Sequence, residues 1–336
     1  MIKGNILFIC GSLNQTKMMH AISEHFEEYN LFFTPYYADG FLNFMTKRGL
    51  LDFTPLGGNH KRMTLNYLEE NNLQMDVAGK RNNYDLVFTC SDLVVQNNIK
   101  DKKVILVQEG MTDPQNVFYY MVKYLNFPRW IASTSTTGLS DAYNFFCVAS
   151  EGYKDLFVKK GVKREKLKVT GIPNFDNLQQ YYSNDFPHKD FVLVATSDSR
   201  ETLKYENRKK FIKRALDIAG DKKVVFKLHP NENFGKATKE INKYAPDAVV
   251  YTSGDINQMI ANCDTLITRY STVVYVGIVL GKKVYSYFDV NYLRKLAPFQ
   301  NNGTSAYNIA QVGYRLLNEK KSYEFVPSYQ TSYNEV

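Results

Sequence analysis

The sequence predicts an α/β protein built from two doubly wound parallel domains. Short apolar, β-branched runs alternate with amphipathic segments of helical spacing, the alternation restarts after residue 171, and a polar, proline-bearing stretch separates the two series. The chain has 336 residues, 44% hydrophobic and 23% charged, the proportions of a globular protein and not of a disordered one. Two domains is the expectation at this length, and either half is long enough to bury its own core.

Taken in order, residues 5–10 read as a buried strand that ends at Gly11-Ser12. Residues 15–28 place Met18, Met19, Ile22 and Phe26 at helical spacing. Further strands are expected at 84–89, 103–108, 145–149 and 167–170, continuous apolar runs of the kind that parallel sheets cover on both faces. Residues 36–60, rich in aromatics and glycine and ending at His60, read as a long irregular excursion, either functional or a packed surface loop. Residues 173–189, with Pro173 and Pro187, form the linker. Beyond it, strands at 191–196, 224–228, 248–251, 265–268 and 283–287 alternate with helices at 205–219, 235–244, 256–262 and 271–280. The expected boundaries are 1–172 for the first domain, 173–189 for the linker and 190–320 for the second domain. In open parallel sheets a ligand binds at the strands' C-terminal edge, and two such domains in tandem would present those edges to a cleft.

Composition narrows the classes. No stretch approaches the ~18–20 apolar residues of a membrane span, and the early run 6–10 is too short for a signal-peptide core, so an intracellular protein is expected. Cys10, Cys90, Cys147 and Cys263 are widely spaced, none in a CxxC pair, and read as buried thiols; neither a metal site nor a disulfide frame is expected. The 42 basic against 34 acidic residues suit phosphate-rich ligands, an anionic membrane surface or nucleic acid. The motifs favour phosphate, and no nucleic-acid partner is expected. GxGxxG, HExxH, GxSxG and Asp-x-Asp are absent. What remains is chemistry that holds phosphate by helix termini and basic side chains, without a metal.

Four segments carry more. They are 104–113 (VILVQEGMTD), 146–154 (FCVASEGYK) running on to 169–176 (VTGIPNFD), 225–232 (VFKLHPNE), and 263–274 (CDTLITRYSTVV) followed by 281–285 (GKKVY). In this order they resemble the GT-B glycosyltransferase superfold, two Rossmann-like domains facing a central cleft. They are most similar to its CDP-glycerol glycerophosphotransferase-like branch, and more distantly to UDP-N-acetylglucosamine 2-epimerases. The resemblance covers most of residues 85–290. It also implies that the aromatic tail 321–336 crosses back to the first domain.

His229, at the end of an expected strand, can donate to a phosphate or leaving group, or simply cap the turn that Pro230 makes. The resemblance places this His-Pro segment beside a donor diphosphate. Ser271 or Thr272 is an expected N-cap whose helix start suits a diphosphate, with Arg269 adding a charged contact. The similar family carries an acidic residue where Arg269 stands. The turn with Ser197 and Arg200 is a second anion candidate. Where glycerophosphotransferases have a histidine base before a glycine, this chain has Glu109-Gly110. A carboxylate can equally take a proton from an acceptor hydroxyl, and the epimerases also carry a glutamate in a comparable turn. Gly110 would let the acceptor approach closely, Asp113 would orient it, and Gly11-Ser12 would form an acceptor-side loop. The helix from residue 205, with Arg208, Lys209, Lys210, Lys213 and Arg214, is a solvated basic face or a membrane contact.

The expectation is a metal-independent, inverting transferase without cofactor, with Glu109 and His229 catalytic. Its partners would be a nucleotide-activated donor, CDP- or CMP-linked before UDP-linked, and a cell-surface glycan or lipid-linked acceptor, with peripheral contact at the membrane's inner face. A UDP-sugar 2-epimerase-like enzyme and a non-catalytic glycan- or partner-binding module are the alternatives.

Overall fold

Apolar runs with no polar alternation need cover on both faces, and the strands obtain it from helices. The computed structural model describes residues 2–197, 199–200 and 205–317. Contacts divide it into two units: Met1–Asp176 with 298–317, and Asn177–Ala297. Each is built around an all-parallel sheet of Rossmann-like type.

The first unit runs β1 (Asn5–Cys10), α1 (Leu13–Ser23), β2 (Asn30–Pro35), α2 (Gly40–Lys47), α3 (Gly58–Glu70), β3 (Leu86–Thr89), β4 (Val104–Val107), α4 (Val117–Leu125), β5 (Phe145–Val148), α5 (Glu151–Lys160) and β6 (Leu167–Val169). The sheet order is β2-β1-β3-β4-β5-β6. β1 is an inner, buried strand, and Phe8 stacks between Phe33 and Phe88, 5.1 Å from each ring. Two elements depart from expectation. The LFF run of β2 is short and abuts Thr34-Pro35, so the sequence does not mark it as a strand. The excursion at 36–60 contains α2 and the first turn of α3.

The second unit runs β7 (Val192–Ala195), α6 (Arg208–Ala219), β8 (Val224–Lys227), α7 (Phe234–Tyr244), β9 (Val249–Tyr251), α8 (Ile256–Asn262), β10 (Thr265–Ile267), α9 (Val273–Val279), β11 (Lys283–Tyr285) and α10 (Val290–Leu296). Its order is β11-β10-β7-β8-β9. Val192, Val194 and Phe226 of the sheet pack on Phe211, Ile212 and Ile241 of α6 and α7. All five strands expected here are present.

The last described helix, α11 (Ser305–Leu316), belongs to the first unit, whereas the sequence puts everything up to residue 320 in the second. The reason is packing. Gly313 lets α11 approach Phe26, Leu86 and Phe88 so closely that a Cβ there would lie within 3.1 Å of each ring or methyl. Tyr314 packs its ring, tilted, against Phe26 at 4.7 Å and donates to the His25 carbonyl at 2.8 Å. The buried Asp176 carboxylate accepts from the N–H groups of Asn301 (2.9 Å) and Ser305 (2.7 Å), fixing the start of the helix. The expected crossing tail, 321–336, lies outside the described residues.

Both sheets contain a switch point, where the chain leaves one strand for opposite neighbours. In the first unit it lies between β1 and β3; in the second, between β7 and β10. The crevice outside the strands' C-terminal ends at such a point is where open α/β sheets take ligands.

Candidate functional site

In the first unit, Gly11 and Ser12 leave β1 and Cys90 leaves β3 at the switch point, with Glu109 two residues beyond neighbouring β4. Ser12 is the N-cap of α1. Its hydroxyl accepts from the Gln15 N–H at 3.3 Å, and its own N–H donates to Gln15 Oε1 at 3.1 Å, a reciprocal capping box. Both members also hold Glu109: Ser12 Oγ donates to Oε1 at 2.9 Å, and Gln15 Nε2 donates to Oε2. Gly11 makes room for this, because a Cβ at residue 11 would fall on the Gln15 amide oxygen.

Burial pushes the partly exposed Glu109 carboxyl above the ordinary carboxylate range. The Gln15 and Ser12 hydrogen bonds and the charge of His60 oppose that rise. A carboxylate so placed holds a proton more tightly than a solvated one while remaining reachable, the setting for acid–base work. The turn is shaped from below by buried Gln108, whose Nε2 donates to the Gly110 carbonyl at 2.7 Å and whose Oε1 accepts from the Ala149 N–H at 3.0 Å. Asp113 is anchored at the end of the turn. Its N–H donates to Thr134 Oγ1 and its carboxylate accepts from the same hydroxyl, both at 2.9 Å. It thus ties the turn to the 3-10 segment Arg129–Thr136. Buried Lys160, at the end of α5, donates to the Ser135 carbonyl at 3.0 Å in that same segment.

In the second unit the turns after β7, β8 and β10 are joined by a buried ionic chain. Arg269 Nη1 lies 2.9 Å from Glu206 Oε2; Glu206 Oε1 lies 2.5 Å from Arg208 Nε; Arg208 Nη2 reaches Glu232. Glu232 in turn accepts from the Thr196 hydroxyl and, at 2.8 Å, from the His229 N–H. Two cations and two anions alternate, the arrangement that makes buried charge tolerable. His229 is half-buried, and its Nδ1 accepts from the Asn231 N–H at 3.2 Å. In the neutral ring this places the proton on Nε2, leaving that nitrogen a donor. Pro230 is exposed beside it.

Arg269 and Arg200 are therefore each engaged by a carboxylate of their own unit. Arg200 Nη1 pairs with Glu240 of α7 at 2.7 Å, and the Arg269 guanidinium lies over the Tyr270 and Tyr287 rings. Ser197 and Ser199 share a hydrogen bond of 2.9 Å. The helix expected at 271–280 is the seven-residue α9, capped by Thr272 in helical conformation without a side-chain bond. Ser271 Oγ accepts from the Val273 N–H at 3.5 Å. Arg208 corrects the reading of α6 as a wholly solvated basic face, since it is only 4% exposed and belongs to the ionic chain.

The sequence did not single out Gln15, Gln108, Glu206, Arg208 or Glu232 as site residues. Gln15 had a legible signal, the Ser-x-x-Gln spacing of a capping box. Glu206 and Arg208 had none, because burial alone distinguishes them. All four cysteines are buried and unpaired by disulfides, as expected. Among the described residues no three His, Cys, Asp or Glu side chains converge as metal ligands would. A cavity of about 490 Å³ lies at the opposite end of the first sheet, lined by residues such as Lys3, Asp85 and Lys103, and touches none of the candidate residues.

No family model matches the chain, and no curated protein matches it. Solved structures do. A UDP-N-acetylglucosamine 2-epimerase is similar with a TM-score of 0.58 at 14% identity, over 98% of this chain and 100% of that one. The UDP-GlcNAc 2-epimerase of Neisseria meningitidis, bound to UDP-GlcNAc, gives 0.56 at 14% over 93% and 100%. That of Methanocaldococcus jannaschii, in complex with UDP-GlcNAc and UDP, gives 0.54 at 13% over 93% and 100%. At these identities the likeness shows the fold, a two-domain α/β architecture of GT-B-like type. It lies with the more distant of the two families that the sequence resembles.

Proposed function

We propose that the chain is an enzyme of nucleotide-sugar chemistry, UDP-sugar epimerase-like in class, with Glu109 as its proton-transferring group. The observation that carries this reading is the setting of Glu109: a reachable carboxylate at a switch point, raised by burial and oriented by Ser12 and Gln15. Likeness to structures that hold UDP-GlcNAc supports a uridine diphosphate sugar as the substrate. The first unit supplies the base. The second supplies the nucleotide-binding residues, with His229 Nε2, Ser197, Ser271 and Thr272 toward phosphate. Arg200 and Arg269 shape the turns that present them.

A transferase working on a CDP- or CMP-linked donor is the second reading, with Glu109 deprotonating an acceptor hydroxyl on a glycan or lipid-linked chain. It is favoured by Ser271-Thr272-Val273-Val274, which stands where the epimerases of the resemblance have a glycine- and glutamate-rich helix start. Thermal unfolding with UDP, CDP, UDP-GlcNAc and CDP-glycerol, followed by product analysis, separates them. A ligand at 100 times its dissociation constant adds about 2.7 kcal/mol of stability. Stabilisation by UDP with a C2-epimerised sugar or released UDP supports the first reading. A cytidine preference with transfer only in the presence of an acceptor moves the assignment to the second, and no response to any nucleotide overturns both.

A further inference from the structure

The first unit carries an apolar surface that the core does not use. Helix α4 is apolar nearly all round: VFYYMVKYL. Tyr119 and Val122 face inward and are buried. The opposite arc, with Val117, Tyr120, Tyr124 and Leu125 at the i, i+3, i+7 and i+8 spacing of a helix face and Phe118 at its margin, is open to solvent, with Val117 73% and Leu125 64% exposed. The surface continues past the helix through Phe127 to Trp130, the chain's single tryptophan, which is 42% exposed. Scattered exposed apolar residues need no explanation, but a contiguous patch marks an interaction surface.

We propose that this face, α4 with the segment leading to Trp130, docks on an anionic lipid bilayer. The charge pattern argues for lipid as the occupant. Residues 114–140 contain no aspartate or glutamate, and their charges are Lys123 and Arg129 alone. Both are positive, the complement of an anionic headgroup layer. The exposure is continuous as well: residues 123–128 are all exposed. The patch's residue types are those of an interfacial helix, with aromatic rings at headgroup depth and apolar side chains below them. The α6 surface keeps Lys209, Lys210, Lys213 and Arg214 exposed but presents no exposed large apolar side chain to enter a bilayer, so it is the weaker candidate. No described helix is long and apolar enough to cross a membrane, so the contact lies on the surface.

Trp130 makes the proposal directly readable. Phosphatidylglycerol vesicles should shift its emission to the blue, shield it from iodide and co-sediment the protein, and phosphatidylcholine vesicles should do so far less. The double variant Phe118→Ser, Leu125→Ser changes exposed side chains only, so its thermal unfolding should match the parent. Its partition onto phosphatidylglycerol vesicles should fall at least about tenfold. Absence of blue shift and sedimentation with these vesicles overturns the proposal, as does a double variant that binds them as well as the parent. Shielding of Trp130 that grows with protein concentration in lipid-free buffer, together with a doubled mass by light scattering, also overturns it, because a second copy then covers the face.

Discussion

Ser12 and Glu109, 97 residues apart, are joined by a 2.9 Å hydrogen bond from a hydroxyl that at the same time caps α1. Helix start and candidate base are one structure. Gln15 completes it, closing the capping box through its Oε1 and holding the second carboxylate oxygen through its Nε2. The arrangement orients Glu109 by the local folding of residues 11–15, before any ligand arrives.

Ser12→Ala should therefore be felt twice. Loss of the cap costs about 1 kcal/mol of stability, measurable by denaturant unfolding. Loss of the hydrogen bond removes an interaction that lowers the Glu109 pKa, so the carboxyl rises further and the acid limb of the rate profile moves to higher pH. An unmoved limb would separate Ser12 from the base.

Gly11→Ala should disturb the site more than the fold. The added methyl falls on the Gln15 amide, which must swing away and release one oxygen of Glu109. Turnover should drop by more than tenfold, since a misplacement of about 1 Å can cost about 10²-fold. Near-parental thermal unfolding would localise the damage.

The pH dependence of stability carries a sign. Glu109 has its folded pKa raised, so over the window between the ordinary glutamate value and the raised one the native state binds more protons than the unfolded chain. Its contribution is complete below that window and is lost as pH rises through the folded pKa. Glu109→Gln lacks this loss and should gain stability relative to the parent as pH rises through that window. Lys160 acts in the opposite sense, because burial lowers its pKa from 10.5 to about 8. The unfolded chain holds more protons between those values, so parental stability should rise through that range. Lys160→Met should flatten that rise, as urea unfolding at several pH values would show.

Arg208→Met tests the ionic chain. It removes the cation that pairs with both buried carboxylates, Glu206 and Glu232, and should destabilise by about 3–5 kcal/mol. Adding Glu232→Gln should restore part of that loss. A change under about 1 kcal/mol for the single variant would mean that the chain is not under strong electrostatic constraint.

Much of the fold was legible because parallel strands buried on both faces declare themselves as unbroken apolar runs, as at Ile6–Ile9 and Val224–Phe226. β2 was not, since Leu31–Phe33 is too brief to separate from a loop. Nor was the allegiance of α11, which rests on how closely Gly313 admits the Phe26 and Phe88 rings. At the site, Glu109 and His229 were visible as polar residues ending strands. Arg208 and Arg269 were legible as charges but their partners were not, and only burial turns them from solvent or phosphate toward Glu206 and Glu232.

The most direct test is Glu109→Gln measured for two quantities in one preparation: product formed from UDP-GlcNAc and the thermal shift caused by UDP. The account predicts that turnover falls by about 10²–10⁴-fold, the usual contribution of a general acid or base, while the UDP shift is unchanged. Parental turnover with the UDP shift intact would contradict it and remove Glu109 from the chemistry.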